Sequence, residues 1–334
     1  MNTHEHNQIE LLAPARDSEC GITAINCGAD AVYIGAPLFG ARSAAGNTVP
    51  DIEKLVSHAH LFHAKVFVAL NTILRNDEID QAVSIAHALW NIGADGLIIQ
   101  DMGLLESDLP PIPLIASTQC DNTTAEKVLF LEKAGFSRAI LARELSIDEI
   151  SVIRQMTTIE LESFIHGALC VSYSGRCYMS YAIGGRSGNR GECAQPCRKK
   201  YSLADALGNR IAKKTHLLSL ADMNRSAHIG AMIDAGISSF KIEGRLKDES
   251  YIKSVVAYYR KRIDEEIERR SLSSSSDGHV VNPFDARPEK VFNRTFTGYF
   301  IDKKRDKPGA IDTPKWKGEP IGKVVRSDGK SFTL

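Results

Sequence analysis

Eight short apolar runs, rich in branched side chains and alternating with amphipathic helical patterns, restrict the fold of this chain more than any other feature. They read IELLAPA from Ile9, AVYIGA from Ala31, KVFVALN from Lys65, GLIIQD from Gly96, PLIAST from Pro113, RAILAR from Arg138, TIELESFIH from Thr158 and SFKIEG from Ser239. Such alternation marks repeated βα units and a parallel sheet. Four of the runs follow a glycine two or three residues upstream: Gly28, Gly93, Gly135 and Gly236. Glycine ends a helix in the left-handed conformation without steric cost, so one αβ turn recurs along the chain. Eight strands and a repeated turn predict an α/β fold, a TIM-like (βα)8 barrel, over a doubly wound sheet; the lack of a GxGxxG motif points the same way. HLLSLAD from His216 is a ninth strand-like run, which we assign to an insertion.

With 43% hydrophobic side chains in 334 residues, the chain can bury a sizeable core. The expected organisation is a disordered N-terminus over 1–8 and a barrel over 9–270 with a Cys-rich insertion at about 168–215. The serine-rich run SLSSSSDGHVVNPFD is expected to be a linker over 271–284. Residues 285–334 then read as the start of a C-terminal β domain, with Asp328 and Gly329 as a hairpin turn and the domain continuing beyond Leu334. No run approaches the ~20 apolar residues of a membrane span, and the N-terminus lacks a signal-peptide core, so a cytoplasmic location with no membrane partner is expected.

In such a barrel the loops after the strands build the chemical face. Strict alternation places Glu160, Glu162, Phe164 and His166 on the inward face of the seventh strand, and Lys241, Glu243 and Arg245 on that of the eighth. Interior charges must be paired, so Lys241 is expected to meet Glu160 or Glu162. His166, Glu243 and Arg245 lie nearest the mouth and are the candidate catalytic residues.

Four of the seven cysteines, Cys170, Cys177, Cys193 and Cys197, fall in one glycine-rich segment just past the seventh strand. An odd count without an export signal argues against a disulfide framework and for a metal or redox site. Zinc and an iron-sulfur cluster are the candidates. Only Cys193 and Cys197 have the close spacing of a zinc knuckle, which favours a 4Fe-4S cluster with zinc as the alternative. Cys120, after the fifth strand, competes with Cys197 as fourth ligand. The chain is neutral overall, yet between Cys170 and Lys214 nine Lys or Arg face only Glu192 and Asp205. Four tyrosines share the segment. Cations interleaved with aromatics suit single-stranded RNA, with Arg176, Tyr178, Arg186, Arg190 and Arg198 as candidate substrate-binding residues.

ESFIHGALCVSYSGRCYMS, from Glu162 to Ser180, resembles the signature of the collagenase-like peptidase family U-32, and RGECAQPCRKKY and SFKIEGRLKDESYIKSVVAYYR resemble it too. The likeness is strongest to the branch that hydroxylates pyrimidines of ribosomal RNA or tRNA at C5. That resemblance implies a barrel, a 4Fe-4S cluster on Cys170, Cys177, Cys193 and Cys197, and RNA hydroxylation linked to prephenate metabolism, with a prephenate-derived small carboxylate as cosubstrate. The family also carries a peptidase name, but the chain has no HExxH or GxSxG motif to which proteolysis can be assigned. A non-catalytic RNA-binding or assembly role is the third reading.

Overall fold

Each of the eight apolar runs becomes a strand, and the strands close on one another. The computed structural model describes residues 8–40, 46–303, 308–318 and 322–333. Its first seven strands are β1 (Gln8–Ala15), β2 (Ala31–Gly35), β3 (Lys65–Leu70), β4 (Gly96–Ile99), β5 (Leu114–Ala116), β6 (Arg138–Ile140) and β7 (Glu160–Ala168). Next come β8 (Tyr201–Ala204), β9 (Arg210–Thr215), β10 (Asp222–Asn224) and β11 (Ser239–Ile242). Strands β1 to β7 pair in sequence, all parallel, and β11 pairs with both β7 and β1 to complete an eight-stranded barrel. The expected (βα)8 fold is therefore observed.

Helices α1 (Ser18–Asn26), α2 (Val49–Ala59), α3 (Ile79–Asn91), α4 (Ala125–Lys133) and α5 (Ile147–Met156) cover the outside. A short α6 (Met179–Gly184) lies in the Cys-rich insertion, and α7 (Ile229–Asp234) and α8 (Glu249–Arg270) complete the ring. Gly28, Gly93, Gly135 and Gly236 all take positive φ, between 84° and 102°, as the recurring turn requires. After β4 a 3-10 turn over Met102–Glu106 stands where the pattern would place a helix. Outward-facing residues such as Val32, Val66, Leu97 and Leu161 pack beneath the helices, whereas Leu12, Tyr33, Phe67, Ile98, Ile115, Ile140 and Phe164 fill the barrel itself.

Below that apolar plug the interior is ionic. Arg138 donates to Glu10 (2.6 Å), Glu160 (2.8 Å) and Glu162 (3.0 Å), and Lys241 donates to the other oxygen of Glu162 (2.6 Å). The expected partner of Lys241 is thus the fully buried Glu162. Burial pushes the Glu10 carboxyl up, but the Arg138 charge more than offsets it and Glu10 ends below its usual range. Burial wins at Glu160, which is held above the usual range against the same guanidinium.

Three expectations about the chain's ends change. Residues 1–7 of the expected disordered stretch lie outside the described residues, and Gln8 already belongs to β1. The serine run is not a free linker: β12 (Ser273–Ser274) pairs with β1, and the hydroxyls of Ser274 and Ser276 donate to the buried Asp30, which Arg260 also holds at 2.8 Å. Nor does a separate β domain begin at residue 285. Here β13 (Phe296–Thr297) pairs with β10, Ile301 is buried in the main core, and Arg294 pairs with Asp222 at 2.8 Å, so this strap belongs to the barrel. Past it, the expected hairpin forms as β14 (Arg326–Ser327) and β15 (Phe332–Thr333) around Asp328 and Gly329.

Removing one member of a buried ion network leaves its partners uncompensated. Arg138→Met is expected to lower the urea-unfolding free energy by about 3–5 kcal/mol. Arg138→Lys should recover only part of this, since a single ammonium cannot span three carboxylates.

Candidate functional site

The C-terminal ends of the strands form the barrel mouth, and the chain reaches it through a distortion in β7. The β7–β11 register shifts between Phe164 paired with Lys241 and His166 paired with Ile242. This bulge sends both Ile165 and His166 outward. The expectation of His166 on the inward face is corrected accordingly: its ring lies among Tyr251, Tyr259 and Phe296, with Nδ1 3.3 Å from the Tyr259 hydroxyl. Burial, reinforced by Lys247, lowers its pKa to about 3, so the ring is neutral. Gly167 follows with φ +103°, and a Cβ there would stand 2.4 Å from the Glu243 carbonyl. Glycine is needed for the chain to pass the end of β11.

Glu243 does reach the mouth. Arg143, from the end of β6, donates to it at 2.7 Å while its guanidinium lies 3.7 Å over the Phe164 ring. Among the described residues, Arg143 Nε is buried with no hydrogen-bond partner, and so is Gln100 Oε1 at the end of β4. Arg245 is buried where the β2 loop passes Gly40. Asn71 donates to Ser117 at 3.2 Å across neighbouring strand ends. The sequence pointed to Glu243 and Arg245; Arg143 and Gln100 stand at the ends of the RAILAR and GLIIQD runs, and their orphaned atoms appear only in three dimensions. Arg225 was missed altogether. It is fully buried with no carboxylate in ion-pair contact among the described residues, donates to the carbonyls of Phe164 and Arg143, and is pushed down to about 10 by burial.

The Cys-rich insertion is fastened across several strand ends. Ser174 donates its amide and hydroxyl to Glu144 after β6, at 2.8 and 3.0 Å. Arg176 pairs with Asp121 after β5, and Asn189 donates to the Gly175 carbonyl. Arg190 makes a double contact with Glu78, and Arg198 donates to the carbonyls of Leu169 and Leu220 and to Ser219. Of the five expected substrate-binding residues, Tyr178 and Arg186 face solvent and Arg176 is mostly open. Arg190 and Arg198 are turned inward, and their role here is to hold the insertion down. A positive charge count could not distinguish these two from the rest.

The four insertion cysteines are near enough to influence one another. Cys170 is exposed at the surface, yet the protein atoms packed around its thiol desolvate it and push it up to about 11, with Cys177 and Cys197 adding to the rise. Cys197 is likewise raised by burial and then by Cys193 and Cys177, even with Arg198 opposing. An amide already points at one sulfur, from Gln195 to Cys193 at 3.4 Å. Cys120 stands apart: its thiol faces the Ile99 and Gln100 carbonyls at 3.7 Å, is pushed up to about 12 by burial, and has Lys127 and Asp101 as its charged neighbours. Cys197, not Cys120, shares the neighbourhood of the other three. Among the described residues no group of three or more His, Cys, Asp or Glu is arranged to hold a single metal ion.

The Peptidase family U32 model matches residues 16–310. The chain is 50% identical to the 23S rRNA 5-hydroxycytidine C2501 synthase of Escherichia coli over 97% of its own length and 50% of that protein's. It is 34% identical to an uncharacterized protease of Methanocaldococcus jannaschii, over 95% of this chain and 80% of that one. To the tRNA hydroxylation protein P1 of Bacillus subtilis it is 38% identical, over 76% of this chain and 63% of the relative. The chain thus spans half the length of the ribosomal RNA synthase.

Two outcomes test this geometry. A Cβ on Gly175, at φ +76°, would sit 2.1 Å from the Gln119 carbonyl, so Gly175→Ala should unseat the insertion and speed proteolysis within 170–200 while the barrel's far-ultraviolet circular dichroism is kept. Because His166 binds its proton at pH 6.5 when unfolded and only near pH 3 when folded, it favours unfolding as pH falls below about 6.5, by roughly 1 kcal/mol per pH unit. Urea titrations at pH 5 and pH 7.5 should therefore differ less for His166→Phe than for the wild type.

Proposed function

The chain belongs to peptidase family U32, and from that membership and the make-up of its barrel mouth we propose that it hydroxylates C5 of a pyrimidine in ribosomal RNA or tRNA. One observation carries the reading: half of all positions match the E. coli ribosomal RNA hydroxycytidine synthase over almost the whole chain. The geometry supports it. A target base must leave its stack to be reached, and it is read by hydrogen bonds to its edge and by contact with its faces. The mouth offers a buried donor, Arg143 Nε, and a buried acceptor, Gln100 Oε1, both unmet. A cytosine edge brings the complementary carbonyl and amino group. Glu243 fixes the Arg143 guanidinium, and Phe164 supports it from below. Arg245 is the residue we assign to the carboxylate of a prephenate-derived cosubstrate, because a guanidinium binds carboxylate in two parallel bonds. Neutral His166, held under α8, supports the turn into the insertion and touches no substrate in this reading.

Cys170, Cys177, Cys193 and Cys197 are the residues that would hold a 4Fe-4S cluster. The preference for the cluster over zinc rests on spacing, since only Cys193 and Cys197 lie as close in sequence as the two cysteines of a zinc knuckle. Bound there, such a cluster supplies one-electron redox capacity beside the mouth. The insertion's exposed Tyr173, Tyr178 and Tyr181 offer faces for unpaired bases, and Arg186 offers charge to phosphates. No helix among the described residues is long and apolar enough to cross a membrane, and a cytoplasmic place accords with an RNA substrate.

Proteolysis is the second reading, favoured by the likeness to the M. jannaschii protein. Histidine rings with described partners bond to Tyr259, Asn26, Asp95, Asp277, Asp302 or backbone carbonyls, and none of these pairs is a Ser–His or Cys–His couple.

Nucleoside mass spectrometry on RNA from a deletion strain decides between them. Wild type should restore 5-hydroxypyrimidine, Cys177→Ala should leave it undetectable, and Arg143→Ala should reduce it at least about tenfold; unchanged levels on deletion would reject the reading. Anaerobically purified protein should contain iron and sulfide, with neither retained by Cys177→Ala. Gelatin cleavage that survives that substitution would instead favour the peptidase.

A further inference from the structure

Strands β8 and β9 form a two-stranded ribbon that pairs with no other strand among the described residues. Isolated ribbons of this size are marginal in water, so this one has been given its own supports. At its tip the Asp205 carboxylate accepts from the amides of Leu207 and Asn209 and from the Asn209 side chain, which fixes the turn. At its root the Tyr201 hydroxyl donates to the Pro196 carbonyl, and the His216 ring lies 2.9 Å from the Arg198 carbonyl. Arg198 in turn grips the Leu169 carbonyl just beyond β7. The ribbon therefore stands on the same face as the barrel mouth, anchored at its root, with its tip ordered by its own turn.

Its charge is one-sided. Lys199, Lys200, Arg210, Lys213 and Lys214 are all exposed, and none is ion-paired among the described residues. The single carboxylate, Asp205, is engaged by the turn. Five cations held together without counter-charge repel one another until a polyanion neutralises them. We propose that the ribbon is a second RNA contact, gripping the phosphate backbone beside the loop whose pyrimidine enters the mouth. This rests on the RNA reading above and extends it: the substrate must be long enough to reach from the insertion's tyrosines to the ribbon, so a free nucleotide does not suffice. Leu203, Leu207 and Ile211 are exposed on the same ribbon and raise the case for a protein partner. The lysines decide against it, because the cores of protein interfaces are depleted of lysine, whereas backbone recognition depends on it.

The test compares the wild type with a charge variant, Lys200→Gln, Arg210→Gln, Lys213→Gln and Lys214→Gln together, and an apolar variant, Leu203→Ser, Leu207→Ser and Ile211→Ser together. Each is titrated against an in-vitro transcribed RNA hairpin with a pyrimidine-rich loop at several salt concentrations, and each is used to complement the deletion strain. The charge variant should bind at least about tenfold more weakly at low salt, with the slope of log affinity against log salt reduced by about 3, and should restore less 5-hydroxypyrimidine. The apolar variant should keep the wild-type slope. If wild type binds and modifies RNA but the charge variant matches it in affinity and slope, the ribbon proposal fails alone. If only the apolar variant loses modification, the ribbon faces a protein and the proposal is likewise overturned. Wild type that neither binds the hairpin nor restores the modified nucleoside defeats the RNA reading itself, and the ribbon proposal with it.

Discussion

Arg138 closes the barrel. It projects from β6, yet its guanidinium is shared among Glu160 and Glu162 on β7 and Glu10 on β1, with Ser239 of β11 donating to the same Glu10 carboxylate. These strands flank the seam where the last barrel strand meets the first. A parallel barrel gains little from order until that seam forms, since its closing contacts join residues more than two hundred positions apart. Burying two cations and three carboxylates is costly, and apolar side chains of like volume would fill the space as well. What the ionic layer adds is register. A strand slipped by one residue would turn Glu162 or Glu10 outward and leave Arg138 uncompensated, so the network penalises misalignment at the one junction not set by a neighbouring βα turn.

From that fixed base, β7 can be irregular at its upper end. The bulge at Phe164–His166 and the positive φ of Gly167 redirect the chain out of the barrel without loosening its lower half. Arg225 makes the redirection rigid by donating to the carbonyls of Phe164 and Arg143, so the strand that bends and the side chain that meets Glu243 share one support. Order at the base and distortion at the mouth are thus two parts of one arrangement, in which the ion layer holds the frame and the bulge opens it.

The barrel was legible because its signals are local. Apolar runs and the glycines that end helices act within a few residues, and all eight strands and all four turns appear where those signals stand. The interior pairing of Lys241 was legible too, since alternation and the cost of burying charge suffice to require it. Failures came where a residue's partner is distant in sequence. Alternation put His166 inside, but a bulge depends on the facing strand. Serines at 273–276 look like a linker until the buried Asp30, more than two hundred positions away, supplies their acceptor. Arg176, Arg190 and Arg198 carry the same charge as Arg186; only Asp121, Glu78 and the Leu169 carbonyl reveal which of them hold the segment down.

That division among the arginines bears on how the insertion works. A segment can keep four thiols near one another and still leave aromatic and charged side chains open to solvent only if it is stiff at some positions and open at others. Here the two demands fall on different residues. Ser174, Arg190 and Arg198 fasten the segment to the ends of β6, to Glu78 after β3, and to the end of β7, with Gly175 pressed against Gln119 after β5. Tyr173, Tyr178, Tyr181 and Arg186 remain at the surface between those anchors. Because each anchor draws the segment toward a different strand end, its thiols, its aromatic faces and the barrel mouth are brought to one side of the molecule by hydrogen bonds that involve none of the cysteines. The Cys-rich segment is thus built into the barrel rather than appended to it: its inward-turned arginines anchor it over the strand ends, and its outward side chains are left at the surface.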